Sequence, residues 1–192
     1  MRRALNLLAE GRVRLSAEVA RAELQKDLMR SAYIKGDFLL ASGVRRDYYF
    51  DKYLFETRPA ILRRLGRFLA EMVPRETDRL AAPALGAVAL GTAVSLELGL
   101  PMVIVRPQAD LEPDSPRVIE GGLYPGEHVT LIEDVVVTGS RASRVLARLE
   151  AAGAQVGHLV AVLDCLEGAG ERFAARSVEY RPLFTTADLG IR

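Results

Sequence analysis

The chain has 192 residues and a mass of 21.0 kDa, 49% hydrophobic and 27% charged, which suffices for one buried core and predicts a single domain over residues 1–192. Lys and Arg number 26 against 25 Asp and Glu, a formal charge of +1, so no bulk field draws the chain to nucleic acid or an acidic membrane. One cysteine, Cys165, excludes an intrachain disulfide framework and suits a reducing cytoplasm, and two histidines, His128 and His158, are too few for a familiar zinc cluster.

No stretch reaches the roughly 18 apolar residues of a membrane span, and no export signal is expected. Ser16 stands as an N-cap before Val19, Ala20, Leu24 and Leu28, a spacing that predicts an amphipathic helix to about Ser31. The segment from Gly36 to Tyr53, GDFLLASGVRRDYYFDKY, reads as a hairpin with a polar turn. Pro59 then opens a second helix whose apolar face is Ile61, Leu62, Leu65, Phe68, Leu69 and Met72.

From Asp78 the pattern becomes strand, helix, strand. Leu80 to Leu85 is a short apolar run, Gly86 to Leu98 a small-residue helix stopped by Gly99-Leu100-Pro101, and Met102 to Val105 a buried strand. Residues 107–127 hold four prolines and three glycines and read as a long loop or a loop carrying a short hairpin. Val129 to Ile132 is a second buried strand, followed by Glu133-Asp134, a valine run and Thr138-Gly139-Ser140. A helix ending at Gly153 and a strand from Gln155 to Leu163 come next.

The stretch Val129 to Ser143, VTLIEDVVVTGSRAS, carries the chemistry. Acids at the carboxyl end of a buried parallel strand lie where open α/β sheets bind ligands. A Thr-Gly-Ser turn opening a helix offers backbone N–H groups, two hydroxyls and a positive helix end, a combination suited to a phosphate monoester. Carboxylates just upstream are suited to a ribose diol, or to water on a magnesium ion. Together they describe a ribose 5-phosphate site, although a plain strand-to-helix turn could use the same residues.

This segment resembles the phosphoribosyl diphosphate motif of type I phosphoribosyltransferases, most closely the orotate branch. The hairpin segment resembles the one that opens orotate phosphoribosyltransferases, and PALGAVALGTAVSLELGLPMVIVR resembles their second βαβ unit, so the likeness runs from about Gly36 to Asp164. It implies an α/β fold whose central, mostly parallel sheet of about five strands is flanked by helices. The core would span 58–165, with a small hood from N-terminal and flanking segments, in a homodimer. It also implies transfer of ribosyl 5-phosphate from phosphoribosyl diphosphate to orotate or a related base, with loss of pyrophosphate. Glu133 and Asp134 would hold the ribose, and Val137, Thr138, Gly139, Ser140 and Arg141 the 5-phosphate. Arg106 would act on the pyrophosphate, and Tyr49, Phe50 and Asp164 on the base. Mg2+ would be bound mainly through the donor's oxygens, with no metal site made by the protein alone.

The chain also departs from that pattern. Where the family carries R-K-x-x-K and then His or Tyr, this sequence keeps Arg106 but has Pro107, Asp110 and Glu112, and an anion cannot stabilise a departing pyrophosphate. Val137 replaces a family hydroxyl, and Cys165 replaces the arginine that pairs with orotate's carboxylate. An alternative is therefore a non-catalytic regulator that binds phosphoribosyl diphosphate or a nucleotide. A dinucleotide-binding domain ranks last, because no G-x-G-x-x-G follows a strand.

Overall fold

The computed structural model describes residues 16–39, 43, 45–107 and 117–191. Ser16 caps α1 (Ala17–Ala32) by accepting from the Val19 amide, as its sequence position predicts. The chain then forms the antiparallel hairpin β1 (Tyr33–Leu39) and β2 (Arg45–Phe50), the short helix α2 (Lys52–Glu56) and α3 (Pro59–Ala70). There follow β3 (Arg79–Pro83), α4 (Val88–Leu98), β4 (Met102–Val105), β5 (Ile119–Glu120), β6 (His128–Val136), α5 (Ser140–Ala151), β7 (Gln155–Asp164), α6 (Ala169–Ala174) and β8 (Glu179–Thr185).

The main sheet has the order β5-β4-β3-β6-β7-β8. Five strands run parallel, and only the short β5 opposes its neighbour β4. Two core layers sandwich this sheet. On one face Leu24, Leu28, Leu65, Leu69, Leu90 and Val94 pack against Ile132 and Val162; on the other, Leu146, Leu149 and Phe173 pack against Leu131 and Leu159. Each of these buried side chains contributes about 1.5–3 kcal/mol by leaving water, which fixes the strand ends that carry the polar groups.

Chain order reverses between β3 and β6: β4 lies to one side of β3, while β7 and β8 extend beyond β6 on the other. At such a switch point the loops leaving two neighbouring strands diverge and open a crevice. Here those loops are 84–87 after β3 and 137–139 after β6.

Two features differ from the sequence expectation. β6 runs to Val136 rather than stopping at Ile132, so Glu133 and Asp134 lie inside the strand, paired with β7 through Glu133↔Ala161 and Val136↔Asp164. The acids interrupt the apolar run, but as part of a central strand their backbone still completes the ladder. The sheet also continues past Asp164 through α6 to β8 at its edge. In β8, half-buried Tyr180 alternates with exposed Glu179 and Arg181, which masks the strand in an apolar-run reading.

Candidate active site

Consecutive strand residues point to opposite faces, and the acid pair does so. Asp134, 2% exposed, accepts a 2.5 Å hydrogen bond from Lys52 Nζ at the start of α2. Glu133, 3% exposed, lines the cavity of the following turn and feels the charge of Arg141. Burial, then the neighbouring Asp134 charge, pushes the Glu133 carboxyl up. Glu56, also buried, is pushed up to about 8 by burial and then by Asp134, with Lys52 pulling the other way. Lys52 thus meets Asp134 directly and feels Glu56 close by, while Glu133 stands on the opposite face, within reach of its charge.

Gly86 makes the Lys52–Asp134 contact possible. A Cβ there would stand 2.1 Å from Asp134 Oδ2 and 2.2 Å from Lys52 Nζ, so any side chain would push the ion pair apart. The backbone after β3 therefore approaches the acids directly.

The turn that follows encloses about 210 Å³, bounded by Glu133 and residues 135–142. Gly139 has φ +72°, and a Cβ would meet Phe173 Cζ at 2.8 Å, so glycine is required twice over. Thr138 Oγ1 donates to Ser140 Oγ at 3.2 Å, and Arg172 Nε donates to the Thr138 carbonyl at 2.7 Å. Val137, Thr138, Gly139, Ser140 and Arg141 all line this cavity.

A second cavity of about 520 Å³ adjoins this turn, with Arg141 lining both. It is lined by Ala84 and Leu85 after β3, by Arg106 just past β4, and by Arg144 and Arg148 of α5. Arg141 donates to the Ala84 carbonyl at 3.0 Å, and Arg148 to the Arg106 carbonyl at 2.6 Å. Residues 141, 144 and 148 recur at helical spacing, so one face of α5 brings three guanidinium groups to a polyanion-sized space. Sequence reasoning singles out neither Arg144 nor Arg148. Asp110 and Glu112 lie outside the described residues.

The base-site expectation needs correction. Phe50 is buried in the core against Phe55, with ring centroids 5.9 Å apart, so it packs rather than covers a ligand. Alternation along β2 turns Tyr49 outward with Arg45 and Asp47, onto Phe38, while Arg46, Tyr48 and Phe50 face the body of the protein. Asp164 stands at the carboxyl end of β7, where its Oδ1 accepts from the Leu166 amide at 2.9 Å and burial raises its carboxyl. His128 and His158 sit at the opposite, amino end of the sheet.

A family model described as the phosphoribosyl transferase domain matches residues 55–179. The chain belongs to this phosphoribosyl transferase family. Among curated relatives, the orotate phosphoribosyltransferase of Methanocella arvoryzae is 37% identical over 168 residues, covering 87% of this chain and 95% of its own. That of Halobacterium salinarum is 41% identical over 154 residues, covering 80% and 87%. The solved Mycobacterium tuberculosis orotate phosphoribosyltransferase in complex with 5-phospho-alpha-D-ribosyl 1-diphosphate is 27% identical with a TM-score of 0.76, covering 90% of this chain and 99% of its own. The type I phosphoribosyltransferase fold expected from the sequence is thus the fold observed, and Lys52 and Glu56 are the residues of its acid site that the motif alone did not reveal.

Among the described residues no three His, Cys, Asp or Glu side chains form a metal cage. Burial pushes the carboxyls of Glu56 and Glu133 up beside the Lys52–Asp134 pair, and Glu56 Oε1 has no hydrogen-bond partner. That donor set fits a magnesium ion held chiefly by a ligand's own oxygens, with Glu133 and Asp134 reaching it through water.

Proposed function

We propose that this phosphoribosyltransferase moves ribosyl 5-phosphate from phosphoribosyl diphosphate to a ring nitrogen of orotate and releases pyrophosphate. The observation that carries this reading is the acid pair of β6 leading into the Thr138-Gly139-Ser140 turn at the switch point, in a chain whose named relatives are orotate phosphoribosyltransferases.

The 5-phosphate enters the turn, where the start of α5 and the hydroxyls of Thr138 and Ser140 receive it. Glu133 and Asp134 accept hydrogen bonds from the ribose hydroxyls, and Asp134 exchanges Lys52 for them. Their charge also opposes the positive charge that develops on the ribose ring as the bond to pyrophosphate breaks. No covalent enzyme intermediate is required; positioning and exclusion of water complete the work.

Magnesium, when bound with the donor, supplies neutralisation of the diphosphate charge. The cavity lined by Arg106, Arg141, Arg144 and Arg148 receives the departing pyrophosphate. The α5 arginines thereby supply cations that the sequence lacks at Pro107 and Asp110. Assembly as a homodimer in the cytoplasm accords with the same reading.

The test is pyrophosphate release from phosphoribosyl diphosphate with Mg2+ and a panel of bases. Orotate-dependent release is expected. Donor binding by calorimetry without release for any base would leave the regulator reading, and absence of donor binding would end both.

A further inference from the structure

We infer that Arg46, on the hood hairpin, is the residue that selects an acceptor base carrying a carboxylate, and that Glu167 holds it ready; the inference rests on the orotate reading above. Orotate is a pyrimidine with an anionic carboxylate beside the reacting nitrogen. Burying that anion requires a cation with directed donors, and a guanidinium is the side chain whose fork matches it.

The structure offers such a group in one marked place. Arg46 points inward from β2, its side chain only 16% exposed, and crosses from the hairpin to the carboxyl end of β7. There it forms an ion pair with Glu167 and donates to the Tyr48 hydroxyl at 3.1 Å, with its guanidinium 5.6 Å from the Tyr48 ring centre. Tyr48 is itself fixed by stacking on Tyr33 at 5.8 Å. The guanidinium also lies beside the Cys165 thiol, where its charge partly offsets the burial that raises the thiol pKa.

Cys165 ties this spot to the reaction. Its amide donates to the Val136 carbonyl at 2.8 Å, so the end of β7 abuts the residue from which the phosphate turn begins. Arg46 therefore overhangs the strand ends that bind the donor. The other cations there have different holders: Lys52 meets buried Asp134, and Arg141 meets the Ala84 carbonyl. Glu167, by contrast, is a partly exposed side chain on a turn of left-handed residues, Leu166 at φ 60° and Gly168 at φ 87°. It can swing to solvent when an acceptor carboxylate takes its place. The pair thus clips the hood to the core in the free protein and opens onto a ligand of like charge to Glu167.

The experiment compares two nucleotides that differ only in this carboxylate, orotidine 5-monophosphate and uridine 5-monophosphate, by calorimetry on the full chain. The wild type should prefer the orotidine nucleotide by about ten- to a hundredfold, the range for hydrogen bonds between charged groups. Arg46→Met should collapse that ratio toward one while uridine nucleotide affinity changes less than threefold, and Arg46→Lys should restore part of it. Glu167→Gln should raise orotidine nucleotide affinity severalfold, a gain that a merely structural clip would not give. An unchanged ratio in Arg46→Met, or equal loss of both nucleotides, overturns the inference. A wild type that neither discriminates the two nucleotides nor uses orotate overturns the orotate reading itself, and this inference with it.

Discussion

At the amino end of the sheet, Arg79 of β3 grips Glu127 through two hydrogen bonds of 2.7 Å, and the Tyr124 amide adds a third to the same carboxylate. These bonds hold Glu127 below the usual carboxylate range and raise Arg79, so each partner favours the charged form of the other. At the carboxyl end Asp134 meets a single lysine, and burial drives Glu133 and Glu56 the opposite way. One strand layer thus carries a satisfied ion pair at one edge and a buried acid cluster at the other. The burial costs stability, and under the proposed reaction the donor's ribose hydroxyls and magnesium relieve it. The difference marks which end of the sheet evolved for binding and which for folding.

The sharpest way to break this comparison is Glu133→Gln. Removing this buried carboxyl should lower pyrophosphate release by about a hundredfold or more while raising stability by about 1–2 kcal/mol at pH 8.5, where the carboxyl has ionised. Steady-state release and chemical denaturation of the same preparation check both signs; a loss of stability would mean that the acid cluster is not strained. Gly139→Val should damage both properties together. Its backbone at φ +72° and its contact with Phe173 predict a cost of about 2–4 kcal/mol, together with loss of phosphate binding in calorimetry. Arg79→Met tests the other edge: stability should fall by about 2 kcal/mol because Glu127 loses its partner, and kcat/KM should stay within twofold of wild type.

Much of this arrangement is legible in the residues. Helical spacing locates α1 and α3, and the β-branched run Met102 to Val105 matches β4 to the residue. The Thr138-Gly139-Ser140 turn is legible because glycine and hydroxyl residues in that order have a local cause. Lys52 and Glu56 are not, since their importance comes from α2 folding onto β6 across 82 positions for Lys52 and Asp134, a juxtaposition that periodicity cannot carry. The outward facing of Tyr49 is not legible for a similar reason: adjacent aromatics look alike until the hairpin's facing is set by burial of Phe50. Arg144 and Arg148 of α5 go unremarked because nothing local discloses the cavity beside them.

Glu56 supplies the smallest expected effect and the finest test of the comparison. Burial, then Asp134, lifts its carboxyl from the ordinary 4.5 to about 8, and its Oε1 has no hydrogen-bond partner. Between those two values the folded chain holds a proton that the unfolded chain has released, so Glu56 makes stability fall as pH rises through this window. Each tenfold change in proton affinity is worth about 1.4 kcal/mol, and movement of Lys52 toward the ionised carboxylate absorbs part of the total, leaving about 1 kcal/mol. Glu56→Gln keeps the shape and removes the titration. It should therefore be more stable than the wild type at pH 8.5 and equal to it near pH 4.5, as read by urea denaturation at the two pH values. Identical pH slopes for the two proteins would assign the dependence to Glu133 and return Glu56 to the satisfied class of Glu127.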